Sequence, residues 1–205
     1  LAIDFKEGKK IRYKARFFAD CTGDANLGVL AGAEWMIGPE TRDQYGESLA
    51  PQTPQKISFG STLRWNSIKT DTVSAFPFTP WALEFDDNSC RDVVKGRWNW
   101  ESGYTMNQID DAETIRDNMF RVIYGNWSYQ KNSPKFKEKY ANYTLTPESV
   151  SIFLGKRESR RLVGDYIVNE NDCYGDWKRH EDAAVWSTFP IDQHFPTAEM
   201  TRLFP

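Results

Sequence analysis

Gly155-Lys156-Arg157-Glu158-Ser159-Arg160-Arg161-Leu162-Val163-Gly164-Asp165 sets four cations and one carboxylate between two glycines. The flanks are short and apolar: Val150-Ser151-Ile152-Phe153-Leu154 before it and Asp165-Tyr166-Ile167-Val168 after it. Short β-branched or aromatic runs punctuated by glycine predict strand, turn, strand, with the cations gathered at a strand end. Arginine forks suit bidentate binding of carboxylate or phosphate, so Glu158 can orient one fork and leave the others for an anion. The plainer reading of the same residues is a solvated basic turn with an internal Glu–Arg pair.

Working outward, the N-terminal side reads as a hairpin over residues 1–19, with Glu7-Gly8 as its turn and Ile11, Tyr13, Ala15 and Phe17 alternating with cations. It runs into Asp20-Cys21-Thr22-Gly23-Asp24, followed by a short helical pattern from about Ala25 to Ala31 that Gly32 would cap. A glycine at such a turn admits close approach of a ligand to the backbone. Taken alone the motif is weak, because Thr and Asp cap helices generally. The polar, proline-bearing stretch 38–55 reads as an excursion into a second domain, which divides the chain into 1–37 and 38–205.

Between that boundary and the arginines, Lys56 to Trp65 alternates as a half-buried strand, and Arg97 to Tyr104 places Trp98, Trp100 and Tyr104 at alternating positions. Those three side chains form either an aromatic shelf for a sugar or a sheet face packed under a helix. The helix is predicted from Ala112 to about Trp127, because Ile115, Met119, Val122 and Ile123 recur at three and four residues behind the acidic start Asp110-Asp111. Past the arginines, Trp177, Ala184, Val185 and Trp186 suggest another amphipathic helix with His180 exposed on it. Asp192 and His194 stand two apart, on one face of an extended segment, where a carboxylate beside an imidazole can serve acid–base chemistry or simply form a satisfied structural pair.

Composition narrows the classes. A chain of 205 residues with 40% hydrophobic and 27% charged side chains is long enough for a substantial core. Its net charge of −3 gives no electrostatic case for nucleic acid, and no apolar run approaches the ~20 residues that span a bilayer. Three widely spaced cysteines without a CxxC, and only two histidines, indicate neither a zinc site nor a disulfide framework.

Three motifs recur in a fixed order: Ala19-Asp20-Cys21-Thr22-Gly23-Asp24, the arginine run through Tyr166, and Phe189-Pro190-Ile191-Asp192-Gln193-His194. With the segment Ile115 to Trp127 between them, they resemble the FAD-dependent oxidoreductase family, of the two-domain glutathione-reductase-like kind. Some relatives of this sort carry the label xanthan lyase. The resemblance implies an α+β fold with a mixed or antiparallel sheet and flanking helices, the substrate-side part of a flavoprotein. It implies FAD as cofactor, held mainly by segments outside this chain, with Asp20, Thr22, Gly23 and Asp24 at the cofactor. Arg157, Glu158 and Arg161 would bind a small anionic or polyhydroxy substrate, and His194, Asp192 and Arg160 would carry the chemistry.

No glycine-rich GxGxxG turn occurs, and the sequence opens at Leu1-Ala2-Ile3. The expectation is therefore an internal piece of a longer protein, inactive alone, whose missing FAD domain is its partner and whose exposed edges favour self-association. Carbohydrate binding or polysaccharide cleavage is the alternative class, suggested by eight tryptophans and 15% aromatic residues.

Overall fold

The computed structural model describes residues 1–174, 181, 188 and 190–197. In chain order the elements are β1 (Ala2–Asp4), β2 (Lys9–Ile11), α1 (Asn26–Leu30), β3 (Trp35–Met36), α2 (Arg42–Tyr45), β4 (Trp65–Asn66), β5 (Ile68–Lys69), β6 (Lys95–Gly96), α3 (Ala112–Asn132), α4 (Lys137–Tyr140), β7 (Tyr143–Thr144), β8 (Arg161–Leu162) and α5 (Glu170–Tyr174). The strands form two-stranded antiparallel pairs: β1 with β2, β3 with β8, β4 with β6 and β5 with β7. Mixed helix and small antiparallel sheet fit the α+β class.

Helix α3 is the scaffold. Its expected stripe, Ile115, Met119, Val122 and Ile123, is buried, and Trp127 continues it. Trp127 meets Trp65 and Tyr140 edge to face, with ring centroids 6.1 and 5.8 Å apart. Leu63, Trp100, Phe136 and Val150 complete the core around them. Burying side chains of this size contributes roughly 1.5–3 kcal/mol each. The helix runs past Trp127 to Asn132 and stops where Ser133, preceding Pro134, turns extended at ψ 146°. Gly125 is required where the helix packs against the Leu83 backbone, since a Cβ there would lie 2.1 Å from the Leu83 carbonyl oxygen.

Several expectations change in detail. The hairpin exists, with Ala2 opposite Ile11 and Asp4 Oδ1 accepting the Lys6 and Glu7 amides in its turn, but pairing ends at Ile11. Beyond it Tyr13 and Phe17 are exposed, having no opposing strand to cover them. Lys56–Trp65 is extended but regular only at its end, joining its neighbours through single bridges from Ser61 to Ser102 and Thr62 to Gly155. The Arg97–Tyr104 segment is not a regular strand either. Trp100 and Tyr104 are buried while Trp98 stands 60% exposed, so the three do not share one shelf.

The arginine run departs most from expectation. Instead of a turn between two strands it is an extended strap, bridged to Thr62 at Gly155 and paired with Trp35–Met36 at Arg161–Leu162. The predicted helix around Trp177 and Trp186, with His180, lies outside the described residues.

Candidate functional site

The turn 20–28 is built by its own side chains. Asp20 Oδ1 accepts the Thr22 amide at 3.0 Å and the Thr22 hydroxyl at 2.7 Å, while Oδ2 accepts the Gly28 amide at 2.8 Å. The Gly28 amide and the two Thr22 donors hold the Asp20 carboxyl below its ordinary range. Thr22 Oγ1 in turn accepts the Asn26 amide at 2.8 Å. Gly23, at φ +80°, is exposed, with nothing within 4 Å of where a Cβ would stand.

The strap docks on that turn. Lys156 Nζ donates to Asp24 Oδ2 at 2.5 Å and Ser159 Oγ to Asp24 Oδ1 at 2.8 Å. Arg160 donates from Nε to the Asp24 carbonyl at 2.9 Å and from Nη2 to Asn26 Oδ1 at 2.5 Å, with its guanidinium 5.8 Å above the Trp35 ring. Burial opposes the charged form of Asp24, but the Lys156 and Ser159 hydrogen bonds and the nearby cations outweigh it, and the carboxyl is held low.

Glu158 points the other way. Its Oε1 accepts the Gly38 amide at 3.1 Å and also Arg161, and its Oε2 accepts the Phe59 amide at 3.0 Å. Arg161 Nη2 reaches the Gly38 carbonyl and Glu40 Oε1, both at 2.8 Å. The carboxylate therefore orients one fork, as the sequence suggests, while also tying together the two segments that precede the first core strand.

Arg157 belongs to a third group. Its Nη1 donates at 2.5 Å to Oε1 of Glu101, a carboxylate with 0% exposure. His194 Nδ1 lies 3.0 Å from the same oxygen and 3.2 Å from Arg157 Nη1, and Nε2 lies 3.0 Å from Asp192 Oδ2. The Tyr104 hydroxyl donates to the other Glu101 oxygen. Burial first, and then that carboxylate, raise the Tyr104 hydroxyl so that it stays protonated. Phe59 meets the His194 ring edge-on at a centroid distance of 5.9 Å.

Arg157, Glu158, Arg161, Asp192 and His194 all border one cleft of about 470 Å³, whose apolar lining includes Leu49, Ile57, Phe59 and Ile191. Asp20, Thr22, Gly23, Asp24 and Arg160 do not line it. A second hollow of about 500 Å³, between Trp35, Ile57 and Tyr104, touches Arg160 alone among these side chains.

A model of the family described as FAD dependent oxidoreductase matches residues 1–203. The chain belongs to that family. No curated protein and no solved structure matches it.

At Thr22–Gly23 the turn presents its backbone to the outside. The open side of Gly23 leaves room for a polar group to approach the backbone, whereas Asp20 and Asp24 spend their oxygens on the turn and on Lys156. Among the described residues no group of three or more His, Cys, Asp or Glu side chains could hold a metal ion, and no helix is long and apolar enough to cross a membrane. Glu101 is the site residue that sequence reading misses, and Tyr104, read there as part of a sugar shelf or a packed face, serves as its hydrogen-bond donor. The available signal is a lone carboxylate inside the aromatic run Trp98-Asn99-Trp100-Glu101-Ser102-Gly103-Tyr104, a position that demands a cationic partner once buried.

Proposed function

We propose that the chain is the substrate-side part of a two-domain, glutathione-reductase-like flavoprotein, split as 1–37 and 38–205, and that its 470 Å³ cleft takes a small polyhydroxy, sugar-derived substrate. The pair of His194 and Asp192 holds the proton that a substrate hydroxyl gives up on oxidation. FAD, when bound, supplies the two-electron acceptor for that step. Asp20, Thr22, Gly23 and Asp24 form the face turned toward the cofactor, with Arg160 tying the strap to it.

The observation that carries this reading is a histidine–carboxylate pair in the wall of a cleft of substrate size, in a chain of this family. A polyhydroxy substrate is preferred to a simple anion on grounds of charge. Arg157 is already answered by Glu101, and Arg161 by Glu158 and Glu40. Five carboxylates, Glu40, Glu47, Glu158, Glu170 and Asp192, line the cleft against those two arginines. Hydroxyl groups can use the carboxylate oxygens as acceptors, whereas a free anion meets net repulsion.

The test is the visible spectrum of the protein with its native flanking sequence, with mass analysis of released cofactor, followed by anaerobic bleaching with a panel of sugars and hydroxy acids. Flavin bands that bleach with a polyhydroxy compound are expected. His194→Gln should retain flavin and slow bleaching by about 10²–10⁴-fold. A colourless protein that takes up no added FAD rejects the reading.

A further inference from the structure

Glu101 is the most deeply buried charged side chain around the cleft, and each of its oxygens has a donor aimed at it. Oε2 takes the Tyr104 hydroxyl, and Oε1 takes Arg157 Nη1 at 2.5 Å with His194 Nδ1 at 3.0 Å. A buried carboxylate on a packed pedestal has no freedom to avoid the imidazole, so the imidazole must adapt to it. The groups facing the His194 ring are Glu101 and Arg157 at Nδ1, Asp192 at Nε2 and the Phe59 edge.

Two neutral tautomers compete in this setting. With the proton on Nε2, that nitrogen donates to Asp192 and the Nδ1 lone pair faces Glu101 Oε1, leaving only the 3.2 Å approach of Arg157 Nη1 as a donor. Arg157 Nη1 carries two N–H groups and can share them between Glu101 at 2.5 Å and Nδ1 at 3.2 Å, but the Nδ1 lone pair still faces the buried Glu101 charge at 3.0 Å. With the proton on Nδ1, the ring donates to Glu101 at 3.0 Å, and the Nε2 lone pair is left 3.0 Å from Asp192 Oδ2. That second arrangement moves the contact of lone pair with carboxylate from Glu101, with 0% side-chain exposure, to Asp192, with 48%, where water screens it. It leaves a place for one proton between Nε2 and Asp192, on the cleft side.

We propose that Glu101, braced by Tyr104, is a positioning residue that fixes the Nδ1–H tautomer of His194 and so holds Nε2 open to capture a proton together with Asp192. The inference rests on the proposed role of His194, yet its test does not use the flavin. When a substrate hydroxyl is oxidised, its proton lodges between Nε2 and Asp192 Oδ2, and the imidazolium then donates from both nitrogens, to Glu101 and to Asp192. Tyr104 stays protonated throughout and does not exchange with the site. Arg157 keeps the Glu101 charge from being left unpaired before the proton arrives.

Nitrogen-15 spectra of the full-length protein, with labelled histidine and the His194 signals assigned by their loss in His194→Gln, read the tautomer directly. With the ring neutral, the wild-type protein should show a protonated Nδ1 and a bare Nε2. Glu101→Gln should swap the proton to Nε2, since the amide no longer demands a donor and Arg157 is released toward Nδ1. Tyr104→Phe should keep the wild-type tautomer, because the Arg157 and His194 donors to Glu101 Oε1 remain. A purely structural role for Glu101 predicts no swap.

A wild-type ring protonated at Nε2, or a Glu101→Gln ring that keeps Nδ1–H, overturns the proposal. If Glu101→Gln does not fold, the wild-type and Tyr104→Phe spectra decide it alone: Nδ1–H in both supports it, and Nε2–H in either overturns it. A colourless protein with the expected swap rejects the oxidoreductase assignment of the cleft and leaves the positioning role standing. Flavin bleaching without the swap does the reverse.

Discussion

Helix α3 and the strap from Gly155 to Leu162 are both central to the fold, and different forces hold them. The helix is fixed by an apolar stripe whose members, Ile115, Met119, Val122, Ile123 and Trp127, are 0–1% exposed. The strap carries four cations in eight residues, and its side chains are fixed by pairing. Lys156 and Arg160 go to the 24–26 turn, Arg157 to Glu101, and Arg161 to Glu158, Glu40 and the Gly38 carbonyl. Apolar burial is non-directional and sets where an element sits. Hydrogen-bonded charge sets where particular atoms point, which is what a site needs. Hence the residues bordering the cleft come from the strap and its partners, while α3 supplies the mass against which they are held.

The largest effect expected from breaking this contrast is Trp127→Ala. Removing a fully buried indole that meets both Trp65 and Tyr140 should cost about 3–5 kcal/mol, read as a fall in the denaturant midpoint. A loss under about 1 kcal/mol would mean that α3 is not the scaffold. Glu158→Gln comes next. It removes the charge from an acceptor of two backbone amides and an arginine, and sets an amide nitrogen against one of those donors. The cost should be roughly 1–3 kcal/mol, appearing mainly as lost hydrogen-exchange protection at Gly38 and Phe59. A uniform loss across α3 as well would show strap and core to be one cooperative unit.

The same contrast separates what was legible in the sequence from what was not. Ile115, Met119, Val122 and Ile123 announce α3 by spacing alone, and Gly32 and Gly8 mark the end of α1 and the first hairpin, because these signals are local. The strap is misread as a turn because its partners, such as Asp24 for Lys156 and Gly38 for Glu158, lie more than a hundred residues away and leave no period in the chain. The pairing of Asp192 with His194 is visible from a two-residue spacing, and the two atoms do lie 3.0 Å apart. Glu101 shows in the sequence only as a lone carboxylate among aromatics, and nothing near it shows that Arg157 and His194 arrive to meet it. The segments around Trp65 and Trp98 are less regular than their alternation suggests for a related reason. Their pairing reduces to two-residue ladders and single bridges, too short to impose alternation.

The smallest expected effect tests whether the strap really is held by charge. The hydrogen bonds and cations around Asp24 keep its carboxyl below the ordinary 3.8 despite partial burial. A carboxyl whose folded value is lower than its unfolded one contributes stability above the unfolded value and loses it as pH falls through the folded value. The contact of Asp24 with Lys156 and Ser159 is therefore fully present near neutrality and should fade on acidification below about pH 4. Protection of the Gly155 and Val163 amides, which bond to Thr62 and Glu34 on either side of the strap, reports its attachment. Between about pH 5 and pH 3 that protection should fall by the equivalent of about 0.5–1 kcal/mol beyond any change at α3. Asp24→Asn should start from the weakened level and show no further drop across that range. An equal drop in the variant would move the acid sensitivity to another carboxylate and would mean that the strap is held at the turn by shape and backbone pairing instead of by the Asp24 charge.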